Sequence, residues 1–153
     1  MTNQKIQLTE KEILNSLSHN RGSESFIKDD FRSALITEGF KQFLELCKCE
    51  WLYSDMAIYC KMKLLNKEDF IICRIKVDEE KKAIVRLYSD YNSEIDENDL
   101  IDVGVRLENI KFNKEHLLYT QKYNYTDFPL KEYEFYICKN ELNYFTFLLK
   151  SEY

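Results

Sequence analysis

The fold class is decided by IICRIKV at residues 71–77 and AIVRLY at residues 83–88, which are separated by the polar segment 78–82. Along both runs apolar side chains alternate with their neighbours, as in a strand that buries one face. Two such runs joined by a short polar segment predict an antiparallel β-hairpin. A sheet is therefore the framework to which the rest of the chain is added.

The residues before this hairpin have the spacing of helices. Thr9 and Glu12 form a T-x-x-E capping box, which predicts a short first helix. Thr37 can cap a second helix with one apolar face, formed by Phe40, Leu44, Cys47 and Trp51. We therefore expect Trp51 to be buried in a helical layer.

The segments that flank the second helix are less regular. The connector 23–33 is expected to attach itself to the core through its three large apolar side chains, Phe26, Ile27 and Phe31. After Ser54 or Asp55, another apolar stripe indicates that the helix continues or restarts; its members are Ile58, Tyr59 and Met62.

Further strands are predicted after the hairpin. Apolar residues alternate at Val103, Val105 and Leu107, and a β-rich run covers residues 117–125. Residues 144–149 have the composition of a last strand. With the hairpin, these runs predict an α+β fold in which a largely antiparallel sheet of four or five strands carries helices on one face.

One more helix is predicted between the last two strands. Pro129 suits a first helical turn, and Thr126 or Asp127 can accept the N–H groups there. This helix is expected to run to about Cys138, and Asn140 can close it in the left-handed conformation.

Composition restricts the class of protein. A chain of 153 residues is expected to form a single domain over residues 1–153. Its content of 44% hydrophobic and 32% charged residues excludes low-complexity and collagen-like classes. The formal charge of -5 repels a phosphate backbone, so we expect no direct nucleic-acid ligand. Because we find neither a membrane span nor a signal-peptide core, we expect a cytoplasmic protein.

The five cysteines show no spacing that is typical of a metal or catalytic site. Cys47 and Cys49 could supply two thiolates, but zinc needs four ligands and the other candidates show no second pair; these are Cys60, Cys73, Cys138, His19 and His116. A Cys–His nucleophile would need a thiol of lowered pKa beside an oxyanion site, and no strained or glycine-rich turn marks one. We expect core cysteines, no metal and no cofactor.

Two features suggest contact with a partner. Residues 90–102 contain six acids and no base, which favours either a solvated loop or a docking surface for a basic protein groove. Several of the eleven tyrosines crowd the C-terminal part, where they complete the core or form an interface. The residues predicted to contact a partner are Asp90, Glu94, Asp96, Glu97, Asp99, Asp102, Tyr123 and Tyr125.

Five short motifs resemble those of a known family. In order, they are GSE at 22–24, TEGFKQFL at 37–44, WL at 51–52, YTDFPL at 125–130 and LKSEY at 149–153. Together they are similar to an uncharacterised family of bacterial domains, often found on mobile elements, in which YTDFPL and the terminal SEY are the most specific motifs. Glu38 and Lys150 depart from the family pattern, and residues 90–102 resemble an insertion. The resemblance implies a shared fold and a mobile-element origin, and it carries over no catalytic residue.

These observations favour a non-enzymatic protein-binding module. The leading hypothesis is a phage or mobile-element inhibitor that occludes a host defence nuclease, as an anti-CRISPR protein does. Its partner would have a basic surface, an RNA-guided nuclease being one candidate, without direct contact to nucleic acid or membrane. One alternative is an immunity protein that neutralises a toxin. The other is a small hydrolase or modifying enzyme that uses a cysteine or a carboxylate, for which the carboxylate candidates are Glu24, Asp127 and Glu152.

Overall fold

Residues 8–22, 25–61, 68–89, 117–140 and 144–153 are described by the structure, a computed structural model. Its helices are α1 (Glu10–Ser18), α2 (Glu38–Cys47) and α3 (Glu50–Cys60). Its strands are β1 (Phe26–Asp29), β2 (Ala34–Thr37), β3 (Phe70–Val77), β4 (Ala83–Ser89), β5 (Leu117–Tyr123), β6 (Glu132–Lys139) and β7 (Phe145–Leu149), and a 3₁₀ turn covers Lys150–Glu152. The strand predicted around Val103, Val105 and Leu107, and Met62 of the last helical stripe, lie outside these residues.

The described strands form one mixed sheet in the order β1-β2-β7-β6-β3-β4-β5. Its pairings are antiparallel apart from that of β2 with β7, which is parallel. The α+β class is therefore confirmed, but the expectation of four or five strands is wrong, because the sheet has seven. Two of the unexpected strands, β1 and β6, come from segments interpreted as a connector and a helix.

The predicted hairpin is confirmed as β3 and β4. Ile75 pairs with Val85 in its centre. In the turn, the Asp78 carboxylate accepts hydrogen bonds from the backbone N–H groups of Glu80 and Lys82, both at 2.9 Å. A single aspartate thus fixes the short connection that the polar segment predicts.

Two of the predicted helix starts are confirmed, whereas a restart at Ser54 or Asp55 is wrong because both residues lie inside α3. At α1 the capping box is complete, since the Thr9 hydroxyl accepts from the Glu12 N–H while the Glu12 carboxylate accepts from the Thr9 N–H. At α2 the Thr37 hydroxyl accepts from the Phe40 N–H. The second helix ends earlier than predicted, however, because Lys48 adopts a left-handed conformation with φ of 51°. Trp51 consequently belongs to α3.

The helix predicted from Pro129 to about Cys138 is wrong, since Glu132–Lys139 is strand β6. Alternate positions Phe135 and Ile137 are buried against the helices. Aromatic and β-branched residues with period two favour a strand, and this preference outweighs the proline signal. Asn140 closes a connection between strands, as its side chain accepts from the Tyr144 N–H at 2.9 Å.

The prediction that Phe26, Ile27 and Phe31 are buried is also wrong. Their side chains are 53%, 38% and 89% exposed. Phe26 and Ile27 belong to β1, which is the terminal strand of the sheet within the described residues and pairs there with β2, whereas Phe31 lies in the turn between these two strands. A strand in that position has a neighbour on one side, so its side chains are less covered than those of a central strand.

The core lies between the helices and one face of the sheet. Phe40 of α2 is at its centre, with its ring centroid 5.8 Å from Tyr53, 5.0 Å from Phe135 and 5.4 Å from Phe147. Buried residues of all three helices belong to this same cluster, in agreement with helices on one face. Among the described helices, we find none with the length and apolar character that a membrane crossing requires.

Candidate functional site

A cleft of about 370 Å³ opens between α3 and the residues that follow β5. Its lining combines aromatic rings with carboxylates; the residues are Trp51, Asp55, Tyr123, Tyr125, Thr126 and Asp127. We refer to these six residues as the aromatic–acidic cleft. It contains the first three residues of the YTDFPL motif and the tryptophan of the WL pair.

One wall of the cleft is a rigid contact between α3 and β5. Trp51 and Asp55 lie four residues apart and so share one face of α3. The Trp51 ring meets the Tyr123 ring at a centroid distance of 4.9 Å and an angle of 67°. The Tyr123 hydroxyl donates to Asp55 Oδ2 at 2.6 Å. Ring packing and a hydrogen bond therefore hold all three side chains in a defined arrangement.

The chemistry of Tyr123 agrees with this arrangement. Burial raises the pKa of its phenol, and the hydrogen bond to Asp55 raises it further. The phenol consequently stays protonated at neutral pH and acts as a donor to the carboxylate.

The opposite wall is a loop with a buried anchor. Thr126 is 5% exposed, its N–H donates to the Lys81 carbonyl at 2.8 Å, and its hydroxyl accepts from the Phe128 N–H at 3.1 Å. These bonds attach the loop to the β3–β4 turn. Its neighbours point outward, since Tyr125 is 73% exposed and Asp127 is exposed. A fixed backbone thus presents one ring and one carboxylate to solvent.

The contact between α3 and β5 continues away from the cleft. The Tyr59 hydroxyl donates to Gln121 Oε1 at 2.9 Å, and its ring centroid lies 4.3 Å from that of Tyr119. Burial and the hydrogen bond with Tyr119 raise the pKa of Tyr59 to about 12. These tyrosines stiffen the wall on which Trp51 and Tyr123 sit.

The structure brings together two of the residues predicted to contact a partner. Tyr123 and Tyr125 both line the cleft. The six acids predicted with them lie outside the described residues; they are Asp90, Glu94, Asp96, Glu97, Asp99 and Asp102.

Other residues of the cleft were assigned different roles by the sequence. Trp51 is only half buried, so the expectation of a core tryptophan holds in part. Asp127 caps no helix, because a strand follows it. Asp55 was considered only as a possible helix start and not as a site residue. The i, i+4 spacing of Trp51 and Asp55 was the available signal, but nothing local indicates that this face of α3 meets the end of β5.

The cysteines are placed as core residues. Cys47, Cys49, Cys60 and Cys73 are buried, and Cys138 is half buried. A hydrogen bond with Cys47 and, to a smaller extent, burial raise the pKa of Cys49. Burial raises the pKa of Cys60 to about 12 and that of Cys138 to about 11. Thiols of raised pKa are poor nucleophiles because the thiolate is the reactive form.

The structure describes one of the two histidines. His19 follows the last turn of α1, and His116 lies outside the described residues. Across the part of the chain that the structure describes, no three His, Cys, Asp or Glu side chains are grouped to hold a metal ion.

A buried carboxylate joins two of the family-like motifs, TEGFKQFL and LKSEY. Glu152 is 8% exposed and accepts hydrogen bonds from the Thr37 hydroxyl at 2.6 Å, the Gly39 N–H at 3.2 Å and the Leu149 N–H at 2.9 Å. A Cβ on Gly39 would lie 2.6 Å from the Glu152 carboxyl carbon, which explains the glycine. We call this arrangement the Glu152 latch. These three bonds show that its carboxylate holds the C-terminal residues against the start of α2.

The comparisons with known proteins agree with a family of undefined activity. A model described as a family of unknown function (DUF6876) matches residues 11–153, which include both the aromatic–acidic cleft and the Glu152 latch. Curated proteins gave no match, and neither did solved structures. The match therefore supplies a family but no reaction, ligand or partner.

Proposed function

We propose that this protein, which belongs to the family of unknown function DUF6876, is a non-enzymatic protein-binding module whose contact surface is the aromatic–acidic cleft. The observation that carries the proposal is the pairing of an anchored loop with an exposed ring. The Thr126 N–H donates to the Lys81 carbonyl and its hydroxyl accepts from the Phe128 N–H, whereas Tyr125 beside it is 73% exposed.

The side chains of the cleft are of the types that dominate protein interfaces. Tryptophan and tyrosine are enriched among the residues that contribute most to binding, because each buries a large ring and keeps a polar tip. Trp51 and Tyr123 are already fixed by their mutual contact and by Asp55. A surface that is ordered before binding loses little conformational entropy when the partner arrives.

The buried groups of the described residues favour binding over catalysis. Cys49, Cys60 and Cys138 have raised pKa values, and the oxygens of Glu152 accept hydrogen bonds from the fold itself. The enzyme alternative is a hydrolase that uses a cysteine or a carboxylate, and two of its candidate residues, Glu24 and His116, lie outside the described residues.

For the partner, we propose a host defence nuclease that the protein occludes, in the manner of an anti-CRISPR protein encoded by a phage or mobile element. A nuclease presents a basic surface to its nucleic acid, and a protein of charge -5 is attracted to such a surface. A toxin neutralised by an immunity protein would present the same chemistry, so the identity of the captured protein decides between them.

The test is capture of a partner by matched variants. Tagged wild-type protein, Tyr125→Ala and Phe31→Ala are incubated with bacterial lysate, and bound proteins are identified by mass spectrometry. Phe31 is the control, since it is an exposed aromatic residue beside β1, at the other end of the described sheet from β5. We expect a partner that wild type and Phe31→Ala retain and that Tyr125→Ala loses.

The affinity of the purified pair makes the test quantitative. Loss of a central interface tyrosine costs about 2 kcal/mol or more, which corresponds to a Kd about 30-fold higher. Equal affinity of wild type and Tyr125→Ala, or a loss confined to Phe31→Ala, would contradict the cleft as the contact surface. An identified activity toward a small substrate would contradict the non-enzymatic module.

A further inference from the structure

The aromatic–acidic cleft has a one-sided charge. Two of its six lining residues, Asp55 and Asp127, carry carboxylates, and none of the six is lysine or arginine. Its rings add the negative faces of aromatic π-systems, which attract a cation further. The carboxylates repel an anionic ligand and give a neutral one no charge attraction, whereas a cation is attracted by both components.

Elsewhere in the protein, one arginine is bound by the same types of group, an aromatic ring and a carboxylate. The Arg32 guanidinium carbon lies 4.9 Å from the Tyr53 ring centroid, and Arg32 Nη1 lies 2.8 Å from Asp29 Oδ2. Arg32 Nη2 donates to the Ser54 hydroxyl at 2.9 Å. The Tyr53 hydroxyl donates to the same Asp29 oxygen at 2.8 Å. The site thus combines a tyrosine–aspartate pair, a ring face and a hydroxyl oxygen, and a second carboxylate, that of Glu50, lies 3.5 Å from Arg32 Nη2.

The cleft repeats this set of groups without an arginine of its own among the lining residues. Tyr123 donates to Asp55 at 2.6 Å, as Tyr53 does to Asp29. Trp51 supplies a ring, and Thr126 supplies a hydroxyl oxygen. One hydrogen bond leaves a carboxylate with further acceptor positions, so Asp55 can accept from a second donor.

The size of the cleft suits one side chain with its flanking backbone. Pockets for small organic ligands span roughly 300–1,000 Å³, and the cleft, at about 370 Å³, is near the lower limit. A planar guanidinium uses such a site better than an ammonium does, because it stacks on rings and donates in a fork that matches a carboxylate.

We infer that the aromatic–acidic cleft binds an arginine side chain presented on the surface of a protein partner. The inference rests on the proposed function and names the chemistry of its contact. In the complex, the guanidinium lies against the rings of Trp51 and Tyr125 and donates to the carboxylates of Asp55 and Asp127.

The single tryptophan provides a specific probe. The Trp51 indole N–H gives one resonance in a ¹H–¹⁵N NMR spectrum, and this resonance reports on the cleft. The ligands are three short peptides that differ at one position, which is arginine, its uncharged isostere citrulline, or lysine. We expect a saturable shift with the arginine peptide, a Kd at least about tenfold higher for citrulline, and weaker binding of lysine.

Two conservative variants link the shift to the carboxylates. Asp127→Asn and Asp55→Asn each remove one charge and keep an acceptor oxygen, so each should raise the Kd of the arginine peptide several-fold. Glu45→Gln on the exposed side of α2 is the matched control and should leave it unchanged. Equal shifts with arginine and citrulline, or an unaltered Kd in both aspartate variants, would overturn the inference.

The outcomes separate this inference from the proposed function. If the captured partner depends on Tyr125 but the arginine peptide neither shifts Trp51 nor displaces the partner, the cleft is an interface for other chemistry and the inference alone fails. If Tyr125→Ala still captures the partner, the proposed function fails, regardless of the peptide-binding results. Displacement of the partner by the arginine peptide, and not by the citrulline peptide, supports both.

Discussion

Replacement of Glu152 by alanine is expected to lower the free energy of unfolding substantially. The change removes the acceptor for three donors, which are the Thr37 hydroxyl and the N–H groups of Gly39 and Leu149. A hydrogen bond to a charged group contributes about 1.5–3 kcal/mol, so three such bonds set an upper limit of about 4.5–9 kcal/mol. Water that enters the vacated space satisfies some of these donors. We therefore expect a loss of about 3–5 kcal/mol, close to the range for breaking a buried polar network.

The assay is urea unfolding followed by circular dichroism. The midpoint should fall while the slope m stays constant, because the native surface is otherwise unchanged. Glu152→Gln should lower the free energy of unfolding by less, since its amide oxygen can still accept from Thr37 and Leu149 while its NH₂ group faces the Gly39 N–H. Glu45→Ala, an exposed position on α2, is the control and should stay within about 0.5 kcal/mol of wild type. A Glu152→Ala midpoint equal to that of wild type would refute the Glu152 latch.

Two further predictions concern stability. Gly39→Ala should lower the free energy of unfolding, because the added Cβ would lie 2.6 Å from the Glu152 carboxyl carbon. At an ordinary helix position the same change raises it by about 0.5–1 kcal/mol. A rise in the urea midpoint would show that this contact relaxes freely. Burial and its bond with Tyr119 raise the pKa of Tyr59 from about 10 to about 12, so this residue stabilises the fold below pH about 10 and the contribution is lost as the pH rises through about 12. Urea unfolding over that range should show a shallower alkaline decline for Tyr59→Phe than for wild type, and parallel curves would contradict the assignment.

Local patterns determined those elements whose signals lie within a few residues. The alternation at residues 71–77 and 83–88 predicted β3 and β4, and Thr9 with Glu12 predicted the start of α1. At residues 129–138 two local signals disagreed: the proline predicted a helix, but the alternating aromatic residues formed strand β6. Where two local signals disagree, packing against the core decides between them.

The candidate site was predictable only in part. The abundance of tyrosine drew attention to Tyr123 and Tyr125, because this residue type is common at interfaces. Trp51 and Asp55 lie about seventy residues earlier in the chain, and no local pattern connects them with these tyrosines. Their meeting depends on how α3 crosses the end of β5.

The sequence by itself determined the α+β class, the central hairpin and the caps that begin α1 and α2, because hydrophobic periodicity and capping bonds depend on residues within one or two turns of chain. Only the tertiary structure decided that β7 enters the sheet between β2 and β6, parallel to the first and antiparallel to the second. That choice brings Glu152 to Thr37 across more than a hundred residues of sequence. An alternating pattern specifies which face of a strand is buried, but it does not specify the neighbouring strand. Which strands pair is therefore decided by the packing of the whole core.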